Sequence, residues 1–195
     1  MAWIDTIEPE NADGELAQFY QAIGAARGGV AEVHRAQSLN PRALRAHLEL
    51  YKAVVFARSS LSRIARERLA VVVSAANRCP YCVAHHSEAL RQLGDLPVII
   101  DAIAQAQWPH ELPHDEELLL RWAATAAREP AHCQEADIVA LRQAGYDDRA
   151  ILDASLTIAY FSFVNRLVLV LGIELEDDYR KTCTEPSDSH DPEPK

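Results

Sequence analysis

Apolar residues recur at three- and four-residue intervals along most of the chain, and capping residues punctuate them, so the sequence reads as helix after helix. The first ten residues, with Pro9, are expected to be extended. Over 14–25, Leu16, Phe19, Tyr20 and Ile23 share one side, with Asn11 or Asp13 as cap and Gly24, Gly28 and Gly29 closing the segment. A short helical turn is expected over 30–37. Asn40 followed by Pro41 pairs an N-cap with a proline at the first helical position, and the helix over 41–56 places Leu44, Leu48, Tyr51 and Val55 on one face.

Ser59, Ser60 and Ser62 offer the next cap, for a helix over 63–77. Its first half mixes Arg63, Arg66, Glu67 and Arg68 with apolar residues, and 69–76 is apolar all round. Such a segment is a central helix, and Glu67 is expected where its exposed part becomes buried, paired with a group that offsets its charge. A neighbouring arginine is one such partner. Further helices are expected over 80–93 with Gly94 as C-terminal cap, over 96–106, and after His114 and Asp115 with Leu118, Leu119, Trp122 and Ala126 on one side. Two more cover 137–143, closed by Gly145, and 150–171, capped by Asp147 or Asp148 and ended by Gly172. No stretch alternates like a strand, so the fold class is all-α.

The last helix is apolar over more than one face, which points to a subunit interface. The segment 184–195 is polar, proline-rich and acidic, a tail beyond a single domain over 1–183. A net charge of −10 argues against a nucleic-acid surface. The acidic N-terminus has no signal-peptide pattern, and the most apolar stretch, 154–173, is interrupted by Asn165 and Arg166, so no membrane association and a cytoplasmic location are expected. In that setting a C-x-x-C is catalytic or metal-binding more often than structural.

The chemistry concentrates in 67–86, ERLAVVVSAANRCPYCVAHH. Pro80 at the first helical position makes Cys79 the N-cap and puts Cys82 in the first turn, where unpaired N–H groups and the helix dipole favour a thiolate. Such settings lower a thiol pKa from ~8.5 to roughly 3.5–7.5. At about 100° per residue, Cys79, Cys82 and His86 fall within an arc of roughly 60°, whereas His85 points to one side. A thiolate attacks peroxide to give a sulfenic acid, a second thiol condenses with it, and an external dithiol reduces the disulfide. The imidazole moves the protons, and a carboxylate orients it.

Glu67, eleven intervening residues, then Cys79-Pro-Tyr-Cys82-Val-Ala-His85-His86 resembles the Glu-x11-Cys-x2-Cys-x3-His signature of the alkyl hydroperoxidase D (AhpD) family, within the carboxymuconolactone decarboxylase superfamily. The resemblance is strongest over 41–95. The ending FSFVNRLVLVLGIELEDD is similar to the branch of uncharacterised peroxidase-related enzymes. This implies an AhpD-like bundle of about seven to nine helices, a trimer or hexamer, and an alkyl hydroperoxidase or peroxiredoxin-type oxidoreductase. It implies no cofactor beyond the cysteine pair, a hydrogen or organic hydroperoxide as substrate, and a dithiol protein or small dithiol as reductant. By the resemblance, Cys82 attacks the peroxide, Cys79 is the resolving and partner-facing thiol, and His86 with Glu67 is the proton relay. The family carries histidine where this chain has Tyr81, whose phenol donates a hydrogen bond but is no base near neutrality.

Other readings compete. The dithiol is half of a zinc site that His132 and Cys133 would complete, an inert pair, or the sensor or ligand site of a non-catalytic helical oligomer. His34, His47, His110, His114 and His190 read as surface or helix-end residues, and Cys183 as a spare thiol.

Overall fold

The computed structural model describes residues 2–56 and 58–183, with the backbone alone at Arg27; the tail expected over 184–195, with His190, lies outside them. Nine α-helices account for most of the described residues, and no strand occurs among them. They are α1 (Gly14–Arg27), α2 (Glu32–Arg35), α3 (Pro41–Val55), α4 (Arg63–Ala76), α5 (Pro80–Gln92), α6 (Pro97–Ile103), α7 (His114–Arg128), α8 (Glu135–Gln143) and α9 (Asp148–Val170). Single 3-10 turns lie at Pro9–Asn11, Pro130–His132 and Tyr179–Cys183.

Side chains set several of these boundaries. Asn40 accepts from the Ala43 N–H at 3.1 Å, Ser62 from Ala65 at 3.0 Å and Asp147 from Ala150 at 2.7 Å, each satisfying one donor that a helix start leaves unpaired. Asp13 occupies the cap position of α1 without such a bond. Gly24 lies within α1, which ends at Gly28 in the left-handed conformation.

The central helix is α4, packed against α5, α7 and α9 with α3 and α6 alongside. Residues 69–74 are all inaccessible, and burying each aliphatic side chain among them is worth about 1.5–3 kcal/mol. The expectation that the charged first half of α4 is exposed is corrected by the structure, because Arg66, Glu67 and Arg68 are buried too. Each has its own partners. Arg66 donates to the Val54 carbonyl at 2.8 Å and the Ser59 hydroxyl at 2.6 Å, and it pairs with Asp153 of α9 at 3.2 Å. Arg68 makes a bidentate pair with Asp95 and also meets Glu116 of α7.

The chain passes from α4 to α5 through a Schellman turn. The Arg78 N–H donates to the Ala75 carbonyl at 3.0 Å, and the Cys79 N–H to the Ser74 carbonyl at 2.8 Å. The turn needs a left-handed residue, and Arg78 fills that place at φ +57°. Proline follows immediately, so Cys79 is both the last residue of the turn and the N-cap of α5.

Helix α9 crosses the bundle and is long and apolar enough to span a membrane by length and composition, with 56% of its most apolar window buried against the rest of the protein. Its outward stripe, Leu152, Leu156, Ala159, Phe163, Arg166 and Val170, is exposed and, apart from Arg166, apolar. Gly172 then turns the chain at φ +59°, where a side chain would overlap the Trp3 indole. The arm beyond it returns across α5 and ends in the Tyr179–Cys183 turn, packed on α5 and α1.

Candidate active site

Cys79 and Cys82 are reduced thiols, 0% and 2% exposed. Behind them stands a polar wall inside an otherwise apolar core. Asn165, from the middle of α9, donates to the Ser74 hydroxyl at 3.0 Å and accepts from the Asn77 amide at 3.0 Å. Asn165 lowers the pKa of both sulfurs, and Ser74 that of Cys82.

The two sulfurs share a hydrogen bond, and it sorts their charges. Donation from Cys82 lowers the pKa of Cys79 despite burial, helped by the backbone N–H groups of Cys82 and Tyr81 and by Asn165. Cys82, as the donor and almost wholly buried, is pushed well up. This reverses the expectation for the first turn: the sulfur at the N-cap position, rather than the one inside the helix, receives the amide field. Of the two sulfurs, Cys79 is the one whose ionisation is favoured. Having no exposed surface, Cys79 does not stand where a partner-facing thiol was expected.

His86 lies one turn beyond Cys82, and its Nδ1 is 2.5 Å from Oε2 of Glu67. The other Glu67 oxygen pairs with Arg63, so the imidazole and the arginine both hold this acid. Burial opposes the Glu67 charge, but His86 and Arg63 together outweigh it and hold the carboxyl at about 2. An ionised carboxylate only accepts, so Nδ1 carries the proton and Nε2 is left to exchange one. The edge of the Phe161 ring, 4.5 Å away between centroids, fixes the plane of the imidazole.

Cys82, His86 and Glu67 line one cavity of about 60 Å³, room for about two waters. His34 and His47 also line it, which corrects their assignment as surface or helix-end histidines; both are buried. His47 bonds the Gln37 amide through Nδ1 and the Tyr160 hydroxyl through Nε2 at 2.7 Å. Burial drops its pKa to about 4, so this group is neutral near pH 7.

The far wall holds residues that sequence reasoning set aside or missed. Tyr81 donates to Oε1 of Glu176 at 2.9 Å and accepts from the Val33 N–H at 3.3 Å. His85, expected to be a bystander, places Nε2 3.1 Å from Oε2 of Glu176 and Nδ1 3.4 Å from Sγ of Cys183. Burial opposes the Glu176 charge, but His85 and the Glu32 backbone N–H hold its carboxyl at about 2. Only Asn165, a polar residue inside an apolar run, carried a sequence signal. Among the described residues no three His, Cys, Asp or Glu side chains converge to hold a metal ion.

An all-helical bundle with a dithiol opening one helix and an acid-held imidazole one turn later is similar to AhpD-like proteins. Residues 41–113 match the carboxymuconolactone decarboxylase family. It is similar to the crystal structure of an alkylhydroperoxidase AhpD core, an uncharacterized peroxidase-related protein from Ralstonia eutropha JMP134, at 25% identity over 95% of this chain and 98% of that one, with TM-score 0.84. An uncharacterized peroxidase-related protein from Silicibacter sp. TM1040 is 27% identical over 93% of each chain, with TM-score 0.80. The debrominase Bmp8 shares the fold at 20% identity over 91% of this chain and 94% of that one, with TM-score 0.76. No curated protein matches the sequence significantly.

Proposed function

We propose that the protein is a thiol-dependent peroxidase that reduces hydrogen peroxide or organic hydroperoxides through a Cys79–Cys82 disulfide cycle, with His86 and Glu67 as proton relay. The observation that carries this reading is Cys82 in the wall of a small cavity beside His86, whose ring an ionised Glu67 orients at 2.5 Å. Likeness to peroxidase-related proteins at 25% and 27% identity supports it.

Access and charge divide the work between the sulfurs. Cys82 meets the cavity and ionisation is favoured at Cys79, so the attacking form of the pair carries its one proton on Cys79 and leaves Cys82 as the thiolate. The Cys82 thiolate attacks the hydroperoxide; an S–O bond forms, the O–O bond breaks, and the alkoxide takes a proton that His86 has drawn from solvent. Cys79 passes its proton to His86 and attacks Cys82. The S–S bond forms, and the departing hydroxide takes that proton as water. An external dithiol then returns two electrons and one proton to the pair, and its other proton replaces the one drawn from solvent.

Purified protein, an organic hydroperoxide and dithiothreitol test this directly. Catalytic hydroperoxide loss that Cys82→Ser abolishes is the expected result. Oxidation of the wild type once, with no turnover under any dithiol, would sink the reading in favour of a redox sensor. The exposed apolar stripe of α9 supports assembly into a homo-oligomer, a trimer or hexamer.

A further inference from the structure

The disulfide cycle as drawn leaves a problem. Cys79 has no exposed surface, Cys82 has almost none, and an external dithiol must reach one of them in line with the S–S bond. Cys183 and His85 also line this cavity, and Glu176 behind His85 completes another thiol–imidazole–carboxylate set. Glu176 takes the Nε2 proton of His85, which leaves Nδ1 as the acceptor facing Cys183 at 3.4 Å. The Cys183 sulfur meets the Tyr179 carbonyl at 3.3 Å and His85 Nδ1 at 3.4 Å among the described residues. This order, acid then imidazole then sulfur, is the one proposed above for Glu67, His86 and Cys82. The Tyr179–Cys183 turn packs directly on α5, and Cys82 and Cys183 border the same cavity of about 60 Å³.

We propose that Cys183 is a third redox thiol, with His85 as its base and Glu176 as the residue positioning that base, and that it takes the disulfide over from the buried pair. The proposal rests on the disulfide cycle of the peroxidase reading. Cys183 gives its proton to His85 Nδ1, and the thiolate attacks Sγ of Cys82. The Cys82–Cys183 bond forms as the Cys79–Cys82 bond breaks, and Cys79 leaves with the electron pair. The exchange is redox-neutral. Cys79 is a good leaving group because the Tyr81 and Cys82 N–H groups and Asn165 stabilise its thiolate. Cys183 is itself buried, 4% exposed, but it ends a single five-residue turn beside the exposed Arg180 and Lys181, so displacing that one turn would bare the disulfide where Cys79 would need helix α5 to move.

Disulfide mapping tests this. Full-length protein is treated with one equivalent of cumene hydroperoxide, its remaining thiols are alkylated, and it is mapped by mass spectrometry without reduction. The wild type is expected to yield a Cys82–Cys183 link beside Cys79–Cys82. In Cys79→Ser the Cys82–Cys183 link becomes the main product, because the Cys82 sulfenic acid condenses with Cys183 and releases water. His85→Asn slows that link on the order of 100-fold. Glu176→Gln moves the pH profile of Cys183 alkylation upward, a shift that lost packing alone would not produce. Cys79→Ser with dimedone-labelled Cys82 and fully alkylated Cys183 would overturn the third thiol and leave the peroxidase standing. If hydroperoxide oxidises no cysteine but the thiol oxidant diamide links Cys82 to Cys183 in Cys79→Ser, the third thiol stands and the peroxidase falls.

Discussion

The carboxylate of Glu67 and the Nδ1 of His86 meet at 2.5 Å across the junction of two helices, nineteen residues apart in the chain. The acid is buried, charged and shared with Arg63, so it fixes which imidazole nitrogen faces the cavity.

Glu67→Gln keeps the shape of the acid and removes its charge. Steady-state hydroperoxide assays should show kcat/KM lower by about 100-fold, the low end for losing an aligned proton-transfer group. The pH profile should move with it, since the ring loses its tautomeric bias. An unchanged profile with a small loss of rate would show that Glu67 serves only packing.

The shared proton between the sulfurs makes a second prediction. Cys82→Ala removes the donor that lowers Cys79, so thiolate absorbance in a pH titration should rise at higher pH than in the wild type. Cys79→Ala should bring Cys82 down, because it removes the sulfur that pushes Cys82 up. Identical titrations in all three proteins would rule out the sharing.

His47 is buried and neutral, with a pKa of about 4 against 6.5 when unfolded. Between those values the unfolded chain binds a proton that the folded chain refuses. Stability from this group is therefore complete above pH 6.5 and declines as pH falls toward 4, by about 3 kcal/mol in all. Urea denaturation at pH 7.5 and pH 4.5 measures the decline, and His47→Gln should flatten it.

Arg78 occupies a left-handed turn position that glycine adopts without strain. Arg78→Gly should raise unfolding stability by about 0.5–1 kcal/mol, the released strain exceeding the extra entropy of the unfolded chain. A loss of stability in urea titration would show that the arginine side chain contributes more than the turn costs.

The outward stripe of α9 gives a prediction about assembly. Leu156→Glu places a charge in its middle, and light scattering should find the variant as monomers with its helical circular dichroism intact. Assembly of the same size in both proteins would place the subunit contact elsewhere.

Helix positions were legible because the caps are local chemistry: Asn40, Ser62 and Asp147 each act within three residues of themselves. The Glu67–His86 pair was legible through the resemblance to the Glu-x11-Cys-x2-Cys-x3-His signature, whereas the residues alone left an arginine as an equal partner for Glu67, which in the structure holds both. The burial of Arg66 and Arg68 was not, since their partners Asp153, Asp95 and Glu116 come from distant segments that no local period connects. The same holds for Glu176, His85 and Cys183, which meet only because Gly172 turns the chain back over α5. The charge order of the two thiols depends on which sulfur the amide groups at the head of α5 face, a detail below the reach of residue spacing.

Adjacent histidines on α5 are each claimed by a carboxylate from a different part of the chain, Glu67 by way of α4 and Glu176 by way of the returning arm. Side chains about 100° apart on one helix define an angle. Two fixed acids at that angle key the helix against turning about its own axis, so a small rotation that relaxes one pair must strain the other. The azimuth of Cys82 toward the cavity is thus set by two anchors from outside α5, and loosening either one would let the sulfur swing.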